Sequence, residues 1–89
     1  MPTSSETEVA LPAAVALHAR PAGLFVKTAM RFKSRITVIA GGREADAKSI
    51  LKVLALGATG GTRLEIRAEG EDSAEALAAL ADCVSQLTD

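Results

Sequence analysis

Eighty-nine residues suffice for one domain with a modest core, and the lone Cys83 rules out an intrachain disulfide or a cysteine-based metal site. With 10 basic against 11 acidic residues the net charge is −1, which gives no reason to expect nucleic-acid binding, and no segment is apolar for long enough to insert in a membrane. Hydrophobic residues make up 48% of the chain, yet its aromatics are Phe25 and Phe32, so the core must be assembled from Ala, Leu, Ile and Val.

Residues 1–7 are polar and lack both the basic region and the apolar stretch of a secretory signal. They are expected to form a flexible tail ahead of a single domain over residues 8–89, in a cytoplasmic protein. Val9 and Leu11 flank Ala10 in a short edge strand that Pro12 ends. A helix should then begin near Ala19, because Pro21 has a fixed φ and no N–H and so suits a first turn. Over residues 19–31, Ala22, Phe25, Val26 and Ala29 share one arc at helical spacing. Arg20, Leu24, Lys27 and Arg31 share the opposite one, a basic stripe interrupted by an exposed leucine.

The β-branched run 36–39 predicts a strand, and Gly41-Gly42 supplies the turn of a hairpin into residues 43–47. A short helix is expected over 50–55, with Ser49 as its N-cap. Residues 62–69 form the clearest strand: Leu64, Ile66 and Ala68 point one way while Arg63, Glu65, Arg67 and Glu69 point the other. The last helix opens at Asp72, which with Glu75 has the spacing of a capping box, and it carries Leu77, Leu80, Val84 and Leu87 as a buried stripe. Cys83 is expected to pack there as a small hydrophobe. A sheet wet on one face and helices apolar on one side need each other, so the chain reads as α+β with helices packed on one face of an antiparallel sheet.

His18 is the only histidine, and it stands in Leu17-His18-Ala19-Arg20-Pro21-Ala22 at the start of the first helix. Unpaired N–H groups at a helix start bind anions readily, and the planar guanidinium of Arg20 suits phosphate oxygens. A neutral imidazole nitrogen is a nucleophile. Attack on a phosphoryl group gives a phosphoramidate whose P–N bond keeps a high transfer potential. One histidine without a cysteine cluster gives no metal site, and no serine has the context of an activated nucleophile.

This stretch resembles the active-site signature of the HPr family, the histidine-containing phosphocarriers of the bacterial phosphoenolpyruvate-dependent phosphotransferase system. A second stretch, Ala47-Lys48-Ser49-Ile50-Leu51-Lys52-Val53-Leu54-Ala55-Leu56-Gly57, is similar to that family's second motif, at the usual separation. The likeness covers residues 8–87. It implies an HPr-like open-faced β-sandwich, a four-stranded antiparallel sheet with three helices on one face in the order βαββαβα. It also implies His18 as phosphoryl acceptor and Arg20 as its electrostatic partner, with no cofactor. The carrier would be loaded by enzyme I and unloaded by sugar-specific enzyme IIA domains, as a stoichiometric intermediate and not a stand-alone enzyme. Two positions depart from the commonest pattern. Ala16 stands where a glycine is frequent, and Val15 where a polar residue often lies near the histidine, which bears on phosphohistidine lability.

The run after Ser49 holds more apolar surface than one short helix can bury, and exposed patches mark binding sites. Ile50, Leu51 and Leu54 with Leu24, Lys27 and Arg20 form the expected docking face. Ser49 is a cap on ordinary grounds, and by resemblance it is also a candidate site for an HPr kinase/phosphorylase. A monomer is expected. Two other readings share these residues: a nitrogen-branch regulatory phosphocarrier, and a binding module in which His18 is never phosphorylated.

Overall fold

The computed structural model describes residues 4–88, which run β1 (Ser4–Ala10), α1 (Ala19–Ala29), β2 (Arg35–Ala40), β3 (Arg43–Asp46), α2 (Ile50–Ala55), β4 (Arg63–Glu69) and α3 (Ser73–Ser85). The strands form one antiparallel sheet in the order β1-β4-β2-β3, with the three helices against one face, as expected. In the central strand β4, Leu64, Ile66 and Ala68 are fully buried while Arg63 and Arg67 face water. α1 contributes Pro21, Ala22, Phe25, Val26 and Ala29 to the core, and α3 contributes Ala76, Leu77, Leu80 and Val84. Phe25 is the largest fully buried side chain and sits in α1, which touches both other helices. The Gly41-Gly42 turn has φ of 57° and 79°, the left-handed pair that lets a two-residue hairpin follow the twist of its strands. None of the described helices is long and apolar enough to cross a membrane.

The N-terminal strand is longer than its hydrophobic pattern predicts. β1 starts at Ser4 and pairs along its whole length with β4, from Ser4 opposite Glu69 to Ala10 opposite Arg63, where a tail was expected through residue 7. Main-chain pairing needs no apolar side chain, and the inward positions are filled by Ser5, Thr7 and Val9, two of them polar. The Ser5 hydroxyl finds a partner in the hydroxyl of Ser73 at 3.3 Å. The first three residues of the expected tail lie outside the described residues.

Asp72 occupies the N-cap of α3 but does not cap it. Its φ of −100° and ψ of 23° lie outside the extended region that turns a cap side chain back onto its own helix, so the expected capping box does not form. The carboxylate instead accepts the Lys33 N–H at 2.8 Å, the Ser34 N–H at 2.9 Å and the Ser34 hydroxyl, clamping the α1–β2 turn to the start of α3. Those bonds, the Ser34 hydroxyl foremost and then the Lys33 N–H, hold its pKa below the ordinary carboxylate value. A folded-state pKa below the unfolded one contributes stability that is fully present above the unfolded value and is lost as pH falls through the folded one. Asp72→Asn should therefore lower the melting temperature at pH 7 and narrow its gap to the wild type as the pH is taken below 4, which melts followed by circular dichroism across that range would show.

The open face of the sheet is polar. Arg67 lies at its centre and pairs with Glu65 at 2.7 Å, Glu6 on β1 at 3.3 Å and Glu44 on β3 at 4.0 Å, so one guanidinium serves carboxylates of three strands. The group is half exposed, which makes this network a weak contributor to stability.

Candidate functional site

α1 starts where Pro21 predicts, with His18 as its N-cap in an extended conformation, φ −144° and ψ 175°. The imidazole is exposed and makes no capping bond to the helix. Pro21 has no N–H, and the Ala22 N–H reaches the His18 carbonyl at 3.4 Å, so the free main-chain donors of the first turn are those of Ala19 and Arg20. Arg20 is exposed and enters no ion pair among the described residues. An incoming anion thus meets two unpaired N–H groups and a cation with no competing carboxylate.

Ala19 has φ of 48°, the single left-handed residue other than glycine among those described. A Cβ in that region costs about 1–2 kcal/mol, so strain is held in the peptide directly after the histidine. Ala16, where a glycine is frequent in the resembling family, is not left-handed, and the special backbone angle falls three residues later. Val15 is buried against the core and offers the ring no hydrogen bond. The loop carrying these residues is fixed from behind. The Leu17 N–H donates to the Ala58 carbonyl at 2.8 Å, Leu17 itself is 1% exposed, and a Cβ on Gly60 would lie 2.0 Å from the Ala13 carbonyl oxygen. The close approach of residues 58–60 to residues 12–17 sets where the imidazole stands.

α2 spans Ile50–Ala55 as predicted, and the Ser49 hydroxyl accepts the Lys52 N–H at 3.3 Å, the geometry of an N-cap. Gly57, with φ of 63°, ends the helix in a left-handed turn. Removing a serine cap costs about 1 kcal/mol. Ser49→Ala should lose about that much stability in urea denaturation, with Ser49→Asp recovering most of it because a carboxylate also caps.

Val53 is the one buried residue of α2, while Leu51 is 76% exposed and Ile50 and Leu54 are well exposed. Leu24 on α1 is exposed too, and Lys27 beside it is solvated. Since α1 and α2 touch, these side chains belong to neighbouring helices. Sequence reasoning missed Met30, 65% exposed at the C-cap of α1. Its signal was present in the helical spacing, since Met30 follows Lys27 by three residues outside the buried arc. Cys83 is half-buried against the core, within 3.6 Å of the Thr28 hydroxyl.

Residues 5–86 match the family model described as the PTS HPr component phosphorylation site. The phosphocarrier protein HPr of Haemophilus influenzae is 49% identical over 70 residues, covering 79% of this chain and 82% of that one. Among solved structures, an HPr from Thermoanaerobacter tengcongensis superposes with a TM-score of 0.87 at 40% identity, covering 91% of each chain. The phosphocarrier protein HPr from Bacillus anthracis gives a TM-score of 0.87 at 38% identity, over 92% of this chain and 98% of that one.

Proposed function

Since the chain belongs to the HPr family of phosphotransferase-system phosphocarriers, we propose that His18 is its phosphoryl acceptor, that enzyme I loads it and that enzyme IIA domains unload it in the cytoplasm. The observation that carries this reading is the histidine at the N-cap of α1, followed by two N–H donors and, two residues on, by Arg20, none of which has a partner among the described residues. In the transfer, an imidazole nitrogen attacks phosphorus, the P–N bond forms as the donor's bond to phosphorus breaks, and the added negative charge is met by the donors of Ala19 and Arg20 and by the guanidinium. The reverse sequence delivers the group to the acceptor. The protein is a stoichiometric intermediate that turns over only with its two partners.

The exposed imidazole suits this role, since both donor and acceptor must reach the same nitrogen. The face formed by Leu24, Lys27, Ile50, Leu51 and Leu54 around Arg20 serves both partners in turn, with an apolar centre and a basic rim that fit an acidic groove. Modification of Ser49 by an HPr kinase/phosphorylase would place a dianion on that face and repel such a groove.

Incubation with phosphoenolpyruvate, Mg²⁺ and purified enzyme I tests the reading. Intact mass should show one added phosphoryl group, stable in base and lost in acid, and fragmentation should map it to His18. An unmodified chain, with the same enzyme I active on another carrier, would refute it.

A further inference from the structure

The docking face is divided between two helices, and one of them is poorly anchored. α2 has six residues and buries a single side chain within its length, Val53. Its position against α1 therefore depends on what holds its two ends. At the C-terminal end, Leu56 is buried and the Leu17 N–H to Ala58 bond ties the following segment to the histidine loop. At the N-terminal end, the Ala47 N–H joins the Ile36 carbonyl of β2, and Asp46 accepts the N–H groups of Lys48 and Ser49 through its side chain and its carbonyl. None of these reaches the turn that follows α1.

One bond does. The half-buried Lys48 ammonium donates to the Phe32 carbonyl at 2.7 Å, across to the turn that ends α1. That turn is ordered in its own right: the Arg31 and Phe32 N–H groups bond back to Thr28 and Ala29, Arg31 lies 5.7 Å over the Phe32 ring, and Asp72 holds Lys33 and Ser34. Lys48 thus connects the entry of a lightly anchored helix to the firmly held turn that follows α1.

We propose that Lys48 is a positioning residue for phosphoryl transfer, setting α2 and its Ile50, Leu51 and Leu54 in register with Leu24 and Lys27 of α1 through the Phe32 carbonyl. It acts through the docking face, not on the reacting atoms, and the proposal rests on the carrier reading above. Its charge is committed to a main-chain acceptor, which separates it from the solvated lysines of the rim.

Lys48→Met keeps the apolar stem and removes the donor. In enzyme I-dependent phosphorylation, KM for the variant should rise about 5- to 10-fold with kcat within twofold of wild type. The deficit should persist in 0.5 M NaCl, where screening removes a direct attraction between exposed charges. Lys48→Arg, which can still donate to the carbonyl, should restore most of the loss. Spontaneous hydrolysis of the phosphorylated variant in the absence of partners should match wild type, and amide shifts in NMR spectra should move at residues 31–34 and along α2 while those of α3 after its first turn stay in place. An unchanged KM overturns the proposal, as does a deficit that disappears at high salt, which would make Lys48 a rim charge. A wild-type chain that accepts no phosphoryl group overturns the carrier reading and the proposal with it, whereas a labelled wild type with an equally good Lys48→Met overturns the proposal alone.

Discussion

His18→Ala will accept no phosphoryl group from enzyme I and will melt within about 4 °C of the wild type. The two halves of that result have separate causes. The ring is exposed and makes no bond to its own helix, so its loss leaves no cavity and no orphaned partner, and changes at such surface sites stay within about 0.5 kcal/mol. The main-chain angles of His18 and the first-turn donors survive, but they are donors without a nucleophile. Arg20→Ala separates the remaining terms. The helix donors stay, the guanidinium goes, and a charge-assisted bond that strengthens as charge builds on the phosphoryl oxygens is worth about 2–3 kcal/mol. Transfer should slow by roughly 30- to 150-fold, with Arg20→Lys intermediate because an ammonium supplies charge without the planar fork. Rapid-quench measurement of label on His18 would check both variants, and an Arg20→Ala protein as fast as wild type would remove the guanidinium from the site.

Gly60→Ala should be the most destructive change away from the histidine. Its Cβ would fall 2.0 Å from the Ala13 carbonyl oxygen and 2.7 Å from the Ala13 carbonyl carbon, both main-chain atoms that cannot rotate aside. One of two loops has to move. Backbone clashes of this kind cost about 2–4 kcal/mol, a large share of the stability of a domain this small. Because residue 13 belongs to the segment that leads into His18, the damage should also reach function. Urea denaturation should show the lost stability, and the transfer rate of the folded fraction should fall as well. Gly23→Ala is the control, since a Cβ there meets no atom within 4 Å and alanine favours the helix.

Most of the architecture is written in hydrophobic spacing. The arc of Ala22, Phe25, Val26 and Ala29, the alternation through β4 and the Gly41-Gly42 turn each fix an element by local physics, and all three agree with the structure. Pro21 places the start of α1 near Ala19, and hence the histidine at a helix terminus. What stays hidden is held by main-chain or long-range polar contacts. β1 begins among polar residues because pairing to β4 asks nothing of side-chain hydropathy. The Asp72-to-Glu75 spacing reads as a cap, yet the carboxylate is taken by two N–H groups thirty-odd residues earlier in the chain, and no local rule predicts that. The left-handed Ala19 and the Lys48 bond to Phe32 are invisible for the same reason: each is set by where the surrounding chain goes, not by the residue itself.

The strand order β1-β4-β2-β3 also governs how the molecule comes into being. Among the described strands the β2–β3 hairpin is the single pairing made between near neighbours in sequence; of the two partners of β4, β2 ends at Ala40 and β1 as far back as Ala10, while β4 begins only at Arg63. During synthesis β1 and α1 emerge first and have no sheet to join, and the apolar side of α1, with Phe25 and Val26, waits for α2 and α3, the helices it packs against. Closing that long loop costs entropy before any of its contacts can reward it, so this late capture is expected to be slower than helix formation. The last third of the chain completes the fold of the first, and a nascent chain halted before β4 lacks the strand on which β1 and β2 are assembled.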